Sequence, residues 1–188
     1  GVKAACKLQT VGLVGFHIGT KLKGNPQWIW STFEHVDNAP TQGEAINKKH
    51  YNYYKPDCKD CAAVNTPPPR PWNPGNAYTQ PSQVMRVIAL DKPIKELNAS
   101  YQAALEKLVP GSVWVNYELI STQWPTNAGS KTDPTGAPAP AFLANTTLET
   151  YIQGTVRQTS SSCIQCHNNA TMTSGKFSDF TYLLQRAQ

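Results

Sequence analysis

The run Cys163-Ile164-Gln165-Cys166-His167, close to the C-terminus, constrains this chain more than any other feature of its 188 residues. A Cys-x-x-Cys-His sequence is the attachment motif of a c-type haem. Two cysteines separated by two residues match the spacing of the two porphyrin vinyl groups, with which the thiols form thioethers. The histidine that follows is then placed beneath the iron as its proximal ligand. The sequence therefore predicts one covalently attached haem c, held by Cys163 and Cys166, with His167 on the metal.

A second cysteine pair in the chain provides an internal comparison. Cys58 and Cys61 have the same spacing, but Ala62 stands where the iron ligand would be. A zinc site at Cys163, Cys166 and His167 would need further ligands at suitable spacing, and the remaining cysteines lie far upstream. We therefore predict a single haem and favour it over a zinc half-site.

The cysteine content also bears on the cellular compartment. Bacterial c-type cytochromes acquire their haem on the outer face of the inner membrane, so we expect a periplasmic or otherwise exported protein. Cys6, Cys58 and Cys61 remain after haem attachment, and they allow one disulfide and one free thiol. A bridge from Cys6 closes the longer loop and removes more entropy from the unfolded chain. We therefore favour a Cys6 disulfide, with Cys58–Cys61 as the alternative.

Charge and hydropathy limit the classes of partner. No apolar run approaches the ~20 residues that span a bilayer, so no membrane span is predicted. The net charge is +5, but lysines and arginines are scattered along the chain rather than clustered as nucleic-acid binding requires. We interpret them as solvated surface, and steering of an acidic redox partner protein is the alternative. The sequence does not fix the oligomeric state.

Hydrophobic periodicity predicts several strands and one longer helix. Residues 11–20, 27–36 and 113–123 are rich in aromatic and β-branched residues, and 84–90 is a weaker fourth candidate. In the second of these strands, Trp28, Trp30 and Thr32 occupy one face, whereas Ile29, Phe33 and His35 occupy the other. Residues 92–109 have apolar side chains at three-to-four spacing and end at a Pro-Gly pair, which predicts a helix.

The C-terminal third is predicted to contain short helical segments. Thr146 and Glu149 have the spacing of a capping box, and residues 160–162 can cap the turn that carries the haem cysteines. Ser178 precedes an apolar pattern typical of a last amphipathic helix. Proline-rich residues at about 56–81 and 125–140 predict two long loops. We expect a single haem-binding domain over 1–188 with an α+β fold: a largely antiparallel β-sheet, one longer helix and a C-terminal helical segment carrying the haem motif.

Four sequence runs support a resemblance to known proteins. VGLVGFHIGT, PQWIWSTFEHVDNAP, LANTTLETY and SCIQCHNNA resemble a poorly characterised group of bacterial secreted mono-haem c-type cytochromes. The layout, with strands first and the haem motif near the end, is more loosely similar to cytochrome c′-beta and to the hydroxylamine-oxidising mono-haem cytochromes. The second resemblance implies a single axial histidine and an open sixth position on the iron.

The ligand on the other side of the iron determines the chemistry. A strong second ligand gives a low-spin iron suited to electron transfer, whereas an open position binds small molecules. We favour His35 as this distal ligand, with His17 and Met85 as alternatives, because all three lie in apolar or aromatic strand contexts. A further alternative is that no protein side chain occupies the sixth position on the iron.

These observations favour one function and leave two alternatives. The favoured one is an exported mono-haem c-type cytochrome that transfers single electrons to or from a redox partner protein. The first alternative is a haem enzyme or gas-binding protein whose open distal site acts on nitrogen oxides or peroxide. The second is the haem-bearing part of a larger oxidoreductase. The odd number of cysteines is consistent with this alternative, because it leaves one thiol without a partner in the chain.

Overall fold

The computed structural model describes residues 6–48, 50–71, 73, 75, 78–126, 138–153 and 161–185. Its elements are β1 (Gly15–Leu22), β2 (Asn25–His35), α1 (Lys92–Leu108), β3 (Tyr117–Pro125), β4 (Pro138–Ala139) and α2 (Cys163–His167). Short 3-10 helices cover Val113–Asn116 and Tyr182–Leu184. The strands form one antiparallel sheet in the order β1-β2-β3-β4. An α+β fold with an antiparallel sheet and one longer helix is therefore confirmed, and no helix in the described ranges is long and apolar enough to cross a membrane.

The first two strands form a hairpin with a two-residue turn. Leu22 pairs with Asn25, and the turn residue Gly24 has a φ of +83°, which glycine adopts without steric cost. Alternation along β2 then sends successive side chains to opposite faces of the sheet. Trp30, Thr32 and Glu34 are buried on one face. The hairpin therefore gives the sheet two chemically different surfaces.

The two faces of the sheet meet different parts of the chain. On the first face, the Asn145 side chain donates to Thr32 Oγ1 at 2.9 Å, so the segment 143–153 packs there. On the second face, Phe16 stacks on Phe33 with ring centroids 4.7 Å apart. Helix α1 lies over that aromatic face, where the Asn98 side chain donates to and accepts from the Leu119 backbone at 2.8 Å each. A residue's position in the alternation therefore determines which segment it can contact.

The predicted strand at 84–90 is wrong. Within the described ranges, this segment forms a single isolated bridge, between Arg86 and Thr41, and Val84 N donates to the carbonyl of Tyr53. Its backbone therefore pairs with a loop rather than with the sheet. The Arg86 guanidinium explains the arrangement, because it reaches Glu34 Oε2 at 3.1 Å and Glu118 Oε1 at 2.7 Å.

Arg86 is expected to be essential for stability because Glu34 is fully buried. Burial raises the pKa of Glu34, and the Arg86 charge opposes this shift. Replacing Arg86 by leucine should lower the free energy of unfolding by ~3–5 kcal/mol, since one partner of a buried ion pair is left alone. Urea titration measures this loss. The matched control is Lys92→Ala, which removes an exposed ion pair with Glu96 and should cost at most ~1 kcal/mol; equal losses in the two variants would contradict the account.

The predicted Cys6 disulfide is also wrong. Cys58 and Cys61 are bonded to each other with their Cα atoms 5.7 Å apart, and Cys6 is an exposed free thiol. Loop entropy ranks bridges only by their effect on the unfolded chain. In the folded chain Cys58 pairs with Cys61, because residues 58–61 form a tight bend. Cys6 precedes the first strand in an exposed segment.

Two predicted helices differ from the structure. Asn145, not Thr146, caps the turn, because Asn145 Oδ1 accepts from the backbone N–H groups of Thr147 and Leu148. The residues that follow form turns rather than a helix. After Ser178, the described residues form only the 3-10 helix, which Thr181 caps. The described residues of the 56–81 loop contain no α-helix and no strand, as expected of a loop. Most of the second predicted loop, 127–137, lies outside the described residues, and β4 forms at its end.

Candidate functional site

Helix α2 carries the Cys-x-x-Cys-His motif on the first face of the sheet. Ser162 caps it as predicted, with Oγ accepting from Gln165 N at 3.2 Å. Ile164 is fully buried, and its N–H donates to Gln123 Oε1 on β3 at 2.9 Å. This anchor leaves the two cysteines three residues apart on one side of the helix, with Cys163 half-buried and Cys166 exposed.

The hydrogen bond of His167 determines which of its nitrogens is free. Nδ1 lies 2.8 Å from the backbone carbonyl oxygen of Phe180. A carbonyl only accepts, so Nδ1 carries the proton and Nε2 carries the lone pair. Burial also lowers the pKa of His167, which keeps the imidazole neutral in neutral solution. His167 therefore presents an unprotonated Nε2 that is able to bind a metal.

Two aromatic rings flank the His167 imidazole. Trp30 stacks on it with centroids 3.9 Å apart and planes 28° apart, and Tyr182 lies 5.5 Å away. Gly19 on β1 makes this possible, because a Cβ there would lie only 3.1 Å from Cζ3 of Trp30. The stacking restricts rotation of the imidazole about its side-chain bonds.

The segment after α2 folds back and positions the Phe180 carbonyl. Ser178 N donates to the carbonyl of Ala170 at 3.1 Å, and the Tyr182 hydroxyl donates to the carbonyl of Cys166 at 2.8 Å. Asp179 forms an ion pair with Lys21 on β1 at 2.7 Å. The orientation of His167 is therefore set by contacts on both sides of Phe180.

A cavity of about 70 Å³ adjoins the motif. Cys163, Cys166, His167 and Trp30 line it, together with His17 and Glu149. His17 Nε2 lies 2.8 Å from Glu149 Oε1, and the second oxygen of Glu149 accepts from the backbone N–H of Asn145. A porphyrin is larger than this volume and would occupy it only in part. The site thus combines two thiols, a metal-binding imidazole and an imidazole–carboxylate pair.

The structure separates the three candidate distal ligands. His35 follows Trp30 by five positions along β2, about 17 Å at 3.4 Å per residue, and it lies on the opposite face of the sheet. Its ring contacts Tyr117, with centroids 5.3 Å apart. This placement separates His35 from the motif, because its side chain lies on the face of the sheet opposite Trp30 and His167.

Met85 is also placed away from the motif. Its backbone N–H donates to Asn65 Oδ1 at 3.0 Å, and its carbonyl accepts from the side chains of Asn65 and Gln153. Of the three candidates, His17 is the one that lines the cavity beside His167, as far as the described part of the chain shows.

The chemistry of the donor set fits a covalent haem better than other uses of two cysteines. Burial, reinforced by Glu149, raises the pKa of Cys163 to about 12, whereas dithiol oxidoreductases depend on a lowered thiol pKa. No three His, Cys, Asp or Glu side chains in the described ranges are grouped to hold a metal ion. A c-type haem needs only two thiols and one imidazole from the motif, and these are the groups that α2 presents.

Sequence reasoning missed part of the site. The sequence predicts Glu149 only as a capping residue, although its side chain also bonds His17. Phe180 accepts the hydrogen bond of His167 through its backbone carbonyl, and the type of side chain at a position does not predict such a backbone contact. The alternation of β2 predicts that Trp30 lies on the face opposite His35, but it does not indicate that Trp30 stacks on His167.

No protein-family model, curated protein or solved structure matches the chain. The resemblance to secreted mono-haem c-type cytochromes stays a prediction from the quoted sequence runs.

Proposed function

We propose that this protein is an exported mono-haem c-type cytochrome that transfers one electron at a time. Haem, when bound, supplies an iron that alternates between the ferric and ferrous states. Cys163 and Cys166 would hold the group as thioethers, and His167 would offer Nε2 to the metal. The observation that carries this proposal is the His167–Phe180 hydrogen bond, which leaves a lone pair on Nε2 of a residue that lines the same cavity as the two thiols.

We propose that His17 would be the second residue to bind the iron, because it lines the cavity beside the motif. When His17 is neutral, its Nε2–H donates to Glu149 Oε1, and Nδ1 then carries the lone pair. A carboxylate that fixes the tautomer and orientation of an imidazole is a common support for a metal ligand. Two imidazoles give a low-spin iron suited to electron transfer.

One observation favours the alternative of an open distal site. Nε2, the nitrogen at the outer end of the His17 side chain, is already engaged by Glu149. In this alternative His17 stays off the metal, and the pair holds a proton beside a position where nitrogen oxides or peroxide bind. The two functions therefore differ in whether His17 reaches the iron.

Export and a protein partner complete the proposal. The Cys58–Cys61 disulfide supports an oxidising compartment such as the bacterial periplasm. The net charge of +5 supports electrostatic steering towards an acidic redox partner. A steered encounter would slow as the ionic strength rises.

A redox titration of the purified haem-loaded protein tests the proposed function. We expect a reversible one-electron transition between two spectroscopic forms, a low-spin ferric spectrum and no fast reaction with nitric oxide or peroxide. A high-spin ferric spectrum with rapid nitric oxide or peroxide binding would instead establish the open-site alternative.

A further inference from the structure

The Cys58–Cys61 bridge has features that a purely structural disulfide does not need. It joins residues only three apart in sequence, so it removes little entropy from the unfolded chain. Both cysteines are half-buried, and the intervening Lys59 and Asp60 are exposed. Accessible disulfides of this Cys-x-x-Cys type are more often labile than buried, long-loop bridges.

A buried amide is directed at one of the two sulfurs. Gln83 is 7% exposed, and its Nε2 donates to Cys61 Sγ at 2.9 Å. The orientation of this amide is fixed, because Gln83 Oε1 accepts from the backbone N–H of Lys55 at 2.9 Å. A donor in this position stabilises negative charge on Cys61 when the bridge opens.

The backbone on either side makes the two sulfurs unequal. Cys61 adjoins the buried Ala62, whose N–H donates to the carbonyl of Pro81 at 3.1 Å. Cys58 instead lies between the exposed residues Asp57 and Lys59. An incoming thiol therefore has easier access to Cys58, while Cys61 is held beside its donor.

We propose that Cys58–Cys61 is a thiol–disulfide exchange site that accepts two electrons from a dithiol, independently of the haem. The thiolate of the dithiol attacks Cys58 Sγ and forms a mixed disulfide, and Cys61 leaves as a thiolate that accepts the Gln83 hydrogen bond. The second thiolate of the dithiol then attacks its own sulfur in the mixed disulfide and releases Cys58. The dithiol becomes a disulfide, and its two protons end on Cys58 and Cys61.

Glutathione, two molecules of which supply the two thiols of the dithiol, is the probe for this site, used with the haem-loaded protein in a Cys6→Ser background. We expect Cys58 and Cys61 to be reduced by glutathione and reoxidised by its disulfide, as measured by acid quenching, alkylation and mass. Brief exposure of the oxidised protein should place glutathione predominantly on Cys58. A bridge that stays intact in reduced glutathione, or a mixed disulfide predominantly on Cys61, would overturn the proposal.

The role of Gln83 has its own variant and control. Gln83→Leu should slow the first exchange step about tenfold, because Cys61 leaves as a thiolate that has lost its hydrogen bond. Gln153→Leu removes another buried amide, which bonds Met85 and Val87 instead, and should leave the rate unchanged. Equal slowing in both variants would contradict a specific role for Gln83. Haem content is measured separately in each variant, so loss of exchange is distinguishable from loss of the cytochrome.

Discussion

Replacing both Cys163 and Cys166 by serine is expected to abolish covalent haem, from one per chain to none. A serine hydroxyl does not form the thioether that a cysteine thiol forms, so no bond to the porphyrin remains. Each single variant should keep one thioether and a reduced yield of coloured protein. Haem that survives denaturing electrophoresis, detected by its peroxidase stain, measures the result.

The second cysteine pair provides the matched control for this experiment. A Cys58→Ser, Cys61→Ser protein loses its disulfide but keeps helix α2, and it should retain a full complement of covalent haem. If the Cys163, Cys166 double variant still carried covalent haem, attachment at α2 would be refuted.

Replacing His17 by alanine is expected to convert the iron from low-spin to high-spin while the haem stays covalently attached. The expectation follows from the cavity, where His17 is adjacent to the motif and held by Glu149. Loss of the sixth ligand should also allow nitric oxide to bind rapidly. Optical and spin-resonance spectra of the ferric protein measure both changes.

His35→Ala is the control for the His17 variant because His35 lies on the opposite face of the sheet, against Tyr117. It should leave the spectrum of the iron unchanged. A spectral change in His35→Ala with none in His17→Ala would reverse the assignment. A wild-type protein that is already high-spin would show that His17 is not a ligand and would favour the open-site function.

Strands β1, β2 and β3 were predictable because they have strong local signals, whereas β4 lies in a stretch predicted as a loop. Alternating aromatic residues in β2 and the β-branched residues of β3 predicted both strands. The same alternation placed Trp30 and His35 on opposite faces. What it does not reveal is which face α2 covers, so the alternation alone does not choose between His35 and His17 as the distal ligand.

Features that depend on distant contacts were not predictable from local pattern. The apolar run at 84–90 suggested a strand, but Arg86 satisfies two carboxylates from β2 and β3 and holds the run beside a loop. The contact between His17 and Glu149 joins residues 132 positions apart. The hydrogen bond from His167 to the Phe180 carbonyl was not predictable either, because it depends on how the chain folds back over α2.

The most direct test of the central claim is the mass of the peptide that contains Cys163, Cys166 and His167. The protein should be produced in a bacterium with c-type haem attachment machinery, exported, and digested under denaturing conditions. We predict a peptide that carries the mass of one haem and its visible absorbance, with neither cysteine open to alkylation. A colourless peptide of unmodified mass, with two thiols that alkylate, would contradict the account.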